Sequence, residues 1–329
     1  MATGCLSQPK DIDIDGIENF TGEIYRTHSW PHEGVDFSGK TVGIIGTGSS
    51  GIQSIPLIAA QAEHTTVFQR TANYSIPAGN GPIAPEKLAV KKRYQDYREE
   101  ARWTKAGVPG KEAMDFALTV PEEERQQRYE ELWDTGAIPH LASEFADLLL
   151  DEKANDTLAQ FVRSKIRSVI DDSNVADILT PTEFPICTKR ACLDTNYYQT
   201  FNRDNVDIVD IKANPITSIT ATGIATQDKA FAFDAIVFAT GFDAMTGALL
   251  AVDIRGSNGQ SLKDKWAHGP LNYLGLTVSG FPNFFMITGP GSPSVLSNMI
   301  LSIEQHVEWI ADCLDYMDRE NLVMIDPTE

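Results

Sequence analysis

The sequence predicts an α/β fold, and three observations carry that prediction. Residues 40–71 read KTVGIIGTGSSGIQSIPLIAAQAEHTTVFQRT: an apolar run, a glycine turn, a helical run and a second β-type run. A further apolar run, Ala235-Ile236-Val237-Phe238, again leads into a glycine turn at Gly241. Between them, residues 83 to about 180 are rich in helix formers and charges. Buried strands alternating with helices call for a parallel sheet with helices packed on it.

The first element is a strand at 42–45, short and wholly apolar, followed by Gly46-Thr47-Gly48-Ser49-Ser50-Gly51. Ile52, Ile55, Ile58 and Ala59 then recur at helical spacing, and Pro56 disturbs only the first turns. A strand at 65–68 follows and ends at Arg70. Such a unit binds a dinucleotide: Gly46 permits the tight turn, Gly48 lets backbone N–H groups approach the pyrophosphate, and Gly51 lets helix and strand pack closely. The candidate cofactor contacts are therefore Gly46, Thr47, Gly48, Ser49, Ser50, Gly51, Ile52 and Gln53. Where an NAD site places an acid on the ribose, this chain has Arg70 and Thr71, a cation and a hydroxyl suited to a 2′-phosphate. The reading is NADP(H); a ligand-free turn beside a solvated arginine is the competing one.

Helical periodicity predicts helices over 85–105, 121–135 and 154–170, with Pro85 and Pro121 as first-turn residues. The run Glu122-Glu123-Glu124-Arg125 is a solvated face. Residues 202–205 read as a turn before a strand at 206–211, and 216–219 and 230–238 as strands of a meander. Short Gly- and Pro-punctuated elements extend to Ser297. A helix at 299–317 then carries Ile303, Val307, Ile310 and Leu314 on one face, with His306 and Trp309 as packing or surface residues. The opening Met1-Ala2-Thr3-Gly4 echoes Phe238-Ala239-Thr240-Gly241 without a strand before it, which predicts a chain that begins mid-strand, as a fragment.

With 329 residues the chain has room for two domains. A net charge of -19 argues against nucleic acid or an anionic membrane as partner, so an anionic cofactor needs a local basic pocket. No apolar run has the length of a membrane span, and the expected location is the cytoplasm. Cys5, Cys187, Cys192 and Cys313 show no metal spacing, and no metal site is expected; reduced thiols are. The sequons at Asn73 and Asn155 are read as chance matches.

FTGEIYRTHSWP at 20–31 resembles the fingerprint FxGxxxHxxxWP of the type I Baeyer–Villiger monooxygenases, lying just before the glycine turn as it does in that family. The similarity continues through GTGSSGIQ, VFQRTANYSIPAGN, TKR, FNRDNV, FATGFDAMTGAL and GFPNFFMITGPGSPSVLSNM, nearly the whole chain, and is strongest toward the phenylacetone and steroid monooxygenase branch. One departure is Arg26 at the fingerprint histidine, with His28 two residues on; it puts the coupling of cofactor binding to domain movement in doubt.

The resemblance implies two dinucleotide-binding, Rossmann-like domains. An NADP domain would span 17–240 with a helical insertion at about 83–180. An incomplete FAD domain would contribute 1–16 and 241–329, its glycine motif and a catalytic aspartate lying outside this chain. It implies a flavin enzyme that uses NADPH and O₂ to turn a ketone into an ester or lactone through a C4a-peroxyflavin. Lys189 would meet the 2′-phosphate, and Arg190 would reach flavin and nicotinamide as the catalytic cation; without the resemblance the pair reads as surface charge. Residues 289–299, ending at Met299, would form the loop where substrate pocket and flavin meet. Two alternatives stay open: a flavin monooxygenase acting on nitrogen or sulfur, and a non-catalytic NADP-binding remnant.

Overall fold

The computed structural model describes every residue except 84, 105, 110–112, 136–142 and 294–296. The chain divides into two compact units, each assembled from separated stretches.

The larger unit takes Asp11–Pro82 and Lys111–Gly241. Its centre is a five-stranded sheet in the order β1-β10-β2-β3-β6, all neighbours parallel. The strands are β1 (Glu23–Arg26), β2 (Thr41–Ile45), β3 (His64–Gln69), β6 (Val206–Asp210) and β10 (Ala235–Phe238). Successive side chains of a strand point to opposite faces, and the apolar residues sort accordingly. Val42, Ile44, Val67, Ala235 and Val237 join one core, whereas Ile45, Phe68, Ile236 and Phe238 join another.

The first core is completed by helices. α1 (Ser49–Ala59) contributes Ile52, Ile55 and Ile58. The helical run expected at 85–105 forms α2 (Pro85–Val90) and α3 (Tyr94–Arg102), which belong to the other unit. Residues 83–110 thus part from the rest of the expected insertion. α4 (Glu122–Thr135), α5 (Glu152–Ser168), α6 (Ser173–Leu179) and α7 (Tyr197–Thr200) stay with the large sheet. Asp151 and Asp172 cap α5 and α6 with their carboxylates. The second core lies under an antiparallel sheet of β7 (Ile216–Thr220), β8 (Gly223–Thr226) and β9 (Ala230–Ala232).

The strand expected at 230–238 is two strands in two sheets. Asp234 makes the break: its carboxylate accepts from the Thr41 N–H and hydroxyl, both at 2.8 Å, drawing the chain onto the central sheet. Those bonds hold the Asp234 carboxyl below its ordinary pKa. Phe233 turns inward at the same point, against the bare face of Gly43.

The smaller unit comprises Met1–Lys10, Ile83–Gly110 and Phe242–Glu329. Between them α8 (Gly247–Leu250) and α9 (Leu262–Lys265) help enclose a core of Leu249, Leu262, Trp266, Val278, Phe281 and Met286. Its long helix, α10 (Met299–Arg319), is capped by Asn298, whose side chain accepts from Ile300 N. Of the apolar stripe expected on one face, Ile303 and Ile310 are half-buried, while Val307 is 47% and Leu314 49% exposed. α10 buries Ser302, His306 and Met317 instead, and pairs Glu304 with Arg98 at 2.7 Å and Glu308 with Arg102 of α3.

Candidate dinucleotide site

β2 leads from the centre of the parallel sheet into α1 and β3 on one side, while β10 returns on the other. The crevice between such diverging connections, at the carboxyl ends of the strands, is where α/β sheets bind ligands. The glycine turn occupies that place. Gly46 has φ 110°, and a Cβ there would stand 2.5 Å from the Ala239 carbonyl oxygen at the end of β10. A Cβ on Gly51 would stand 2.2 Å from the Gly46 carbonyl oxygen. The chain's own packing therefore demands both glycines. Gly48 differs: no heavy atom lies within 4 Å of where its Cβ would be. Its bareness leaves room for a ligand, not for protein.

Gly48 is also the N-cap of α1, with no side-chain cap and no acid in the first turn. Helix N–H groups left open in this way, with the positive end of the dipole, favour a pyrophosphate. Ser49 is exposed and Ser50 half-buried beside them, and Gln53 reaches back to the Ser49 hydroxyl at 3.2 Å. Ile52 is wholly buried in the core, as its helical spacing predicts, and its N–H bonds the Gly48 carbonyl. It holds the turn from beneath.

Arg70 and Thr71 follow β3 at the same edge of the sheet. Thr47, itself 5% exposed, donates its hydroxyl to the Thr71 carbonyl at 3.2 Å, tying the glycine turn to the segment that carries the cation. Arg70 is exposed and borders a cleft of about 170 Å³ with Gln69, Thr180, Thr182 and Lys212. Lys212 escaped the sequence reading because it lies far along the chain. It reaches the cleft because β6 runs parallel to β3 with Asp210 opposite Gln69, so the residues after both strands meet. Its ammonium pairs with Glu183.

Lys189 and Arg190 are exposed in the loop before β5 (Cys192–Asp194). Buried Asn155 anchors that loop: it accepts from Ile186 N at 3.1 Å and donates to the Ile186 carbonyl at 2.9 Å. The Lys189 ammonium lies 4.2 Å from the centre of the Phe184 ring. Burial pushes the Cys187 thiol up to about 11 and raises that of Cys192, so both remain protonated at neutral pH. Arg26 closes β1 with an exposed side chain. Met299 opens α10 in the other unit.

No family model matches the chain. Individual proteins do. It is 42% identical over 335 residues to 2-oxo-Delta(3)-4,5,5-trimethylcyclopentenylacetyl-CoA monooxygenase of Pseudomonas putida, covering 100% of this chain and 62% of that protein. It is 40% identical over 328 residues to a Baeyer–Villiger monooxygenase of Pseudooceanicola batsensis, covering 99% of this chain and 59% of the relative. A solved structure, oxidized steroid monooxygenase bound to NADP, superposes with a TM-score of 0.94 at 50% identity, over 99% of this chain and 62% of the other. The chain thus spans about three fifths of the length of the curated relatives it matches. This similarity to Baeyer–Villiger monooxygenases runs from end to end of the chain, over the glycine turn and both cation-bearing segments.

Proposed function

We propose that this chain supplies the NADP(H)-binding part of a cytoplasmic, flavin-dependent Baeyer–Villiger monooxygenase acting on a small ketone. The observation that carries the reading is the bare approach at Gly48 with Arg70 at the end of the adjacent strand. The open N–H groups of α1 hold the pyrophosphate, and Arg70, Thr71 and Lys189 hold the 2′-phosphate. The family's solved NADP complex supports the choice of ligand.

The whole protein's reaction balances as ketone, O₂, NADPH and a proton giving ester or lactone, NADP⁺ and water. FAD, when bound, supplies the redox and oxygen chemistry. Among the described residues the strand–glycine turn–helix unit at 41–59 is used by NADP(H), and these residues do not form a second such unit for an FAD pyrophosphate. FAD is accordingly assigned to the whole protein. Arg190 contributes a permanent, planar cation whose fork stabilises negative charge as it develops on the ketone oxygen.

Two measurements test this. Calorimetric titration of the chain should show NADP⁺ binding and much weaker NAD⁺ binding; equal affinities would refute the ligand assignment. The whole protein, given NADPH, O₂ and simple cyclic and linear ketones, should yield the corresponding esters or lactones. Turnover of amines or sulfides alone would replace the ketone reading.

A further inference from the structure

The two cation-bearing segments, 70–71 and 189–190, are distant in sequence and their cations exposed, yet each leads into a strand of the same small ladder. Only Ala72, Asn73 and Tyr74 separate Thr71 from β4 (Ser75–Pro77), and only Ala191 separates Arg190 from β5. The two strands pair in parallel, Ser75 with Cys192, Ile76 with Leu193 and Pro77 with Asp194. Whatever fixes this ladder fixes the spacing of the cations.

The ladder is short, and a pair of strands this size has little stability of its own. What holds it is a buried polar network. The Ser75 hydroxyl donates to the Asp194 carboxylate at 2.5 Å, and the other carboxylate oxygen accepts from Tyr197 N at 2.9 Å. The Tyr198 hydroxyl accepts from Ser75 N at 3.2 Å and donates to the Asn73 carbonyl at 3.1 Å. Asn73 in turn donates its side-chain amide to the Cys192 sulfur at 3.3 Å. Ser75, Asp194, Tyr197 and Tyr198 are all buried, where an unsatisfied partner is costly and a satisfied network is rigid. Cys192 also lies against the Arg190 carbonyl, at 3.9 Å, so the network reaches the cation-bearing loop itself.

We infer that the Ser75–Asp194–Tyr198 clasp is a specificity-determining element: it sets the spacing of Arg70 and Thr71 from Lys189 and thereby the preference for a 2′-phosphorylated dinucleotide. The inference rests on the NADP(H) reading of the site. Its residues are positioning residues, acting through the two loops.

The test is calorimetric binding of NADP⁺ and NAD⁺ to the chain, wild type against Tyr198→Phe, with thermal melting recorded for each. Tyr198→Phe keeps the ring and removes one hydroxyl. The ratio of NADP⁺ to NAD⁺ affinity should fall by about three- to tenfold, the worth of a hydrogen bond. A structural defect alone would weaken both ligands alike and leave the ratio unchanged, which overturns the proposal. In a Lys189→Ala background, Tyr198→Phe should have no further effect on the ratio, because the spacing it controls no longer matters; an additive loss counts against it. Ser75→Thr, which retains the hydroxyl, should preserve the ratio while Ser75→Ala lowers it, so the clasp is tested even if one variant fails to fold. A wild-type chain without preference for NADP⁺ would instead refute the ligand assignment itself, and the clasp with it.

Discussion

Gly46 and Ala239 meet at the centre of the site: the turn after β2 passes so close to the end of β10 that a methyl group on Gly46 would overlap the Ala239 carbonyl, at 2.5 Å. The two strands diverge to different connections just there, so the contact joins the sheet's integrity to the shape of the ligand crevice.

Gly46→Ala and Gly48→Ala should separate these roles. At Gly46 the left-handed φ and the overlap should together cost about 1–3 kcal/mol or more, seen as a lower urea midpoint. Gly48 has φ -82° and open space, so alanine there should leave stability within about 0.5 kcal/mol of wild type. Its methyl should nonetheless weaken NADP⁺ binding by about 1–3 kcal/mol, by filling the path of the pyrophosphate. Equal effects of both variants on stability would contradict the assignment.

Arg70→Ala should cost about 1.5–3 kcal/mol of NADP⁺ affinity, the worth of a charge-assisted hydrogen bond, and leave NAD⁺ affinity unchanged. Lys212→Ala should cost less, because Glu183 already neutralises that ammonium. Calorimetry with both dinucleotides reads the two effects.

In the whole protein, Arg190→Ala should leave NADPH consumption by the flavin measurable while ester formation falls by about 10²–10³. Arg190→Lys should recover only part, since an ammonium lacks the planar fork. Stopped-flow absorbance separates the steps from product analysis. Undiminished ester yield would remove Arg190 from the chemistry.

His306 predicts a pH dependence. Its Nδ1 accepts from the Thr288 N–H at 3.0 Å, which requires the neutral ring, and burial lowers its pKa below the ordinary 6.5. A histidine with a depressed folded pKa adds full stability above 6.5 and loses it as pH falls, because the unfolded chain takes up the proton first. The urea midpoint should drop between pH 7 and 5, and His306→Gln should flatten that decline.

Much of this was legible in the sequence because it is local. The apolar runs at 42–45, 65–68 and 235–238 are all strands of one sheet, and the glycine spacing located the turn correctly. What escaped was tertiary. Asp234 splits a continuous β-type run through bonds to Thr41, nearly two hundred positions away in the chain. Lys212 joins Arg70 only through the β3–β6 pairing. The stripe on α10 has helical spacing, but spacing alone does not say which face is covered, and Ser302 and His306 are buried in preference to Val307 and Leu314.

The order of the central sheet carries a consequence for biosynthesis. β10 is the last of its five strands to leave the ribosome, yet its place is between β1 and β2. Until residues 235–238 emerge, the nascent chain holds a vacant slot, with β1 unable to pair and the apolar flank of β2 unsheltered. Premature pairing with a neighbouring polypeptide would be most damaging there, and a chaperone's protection most useful.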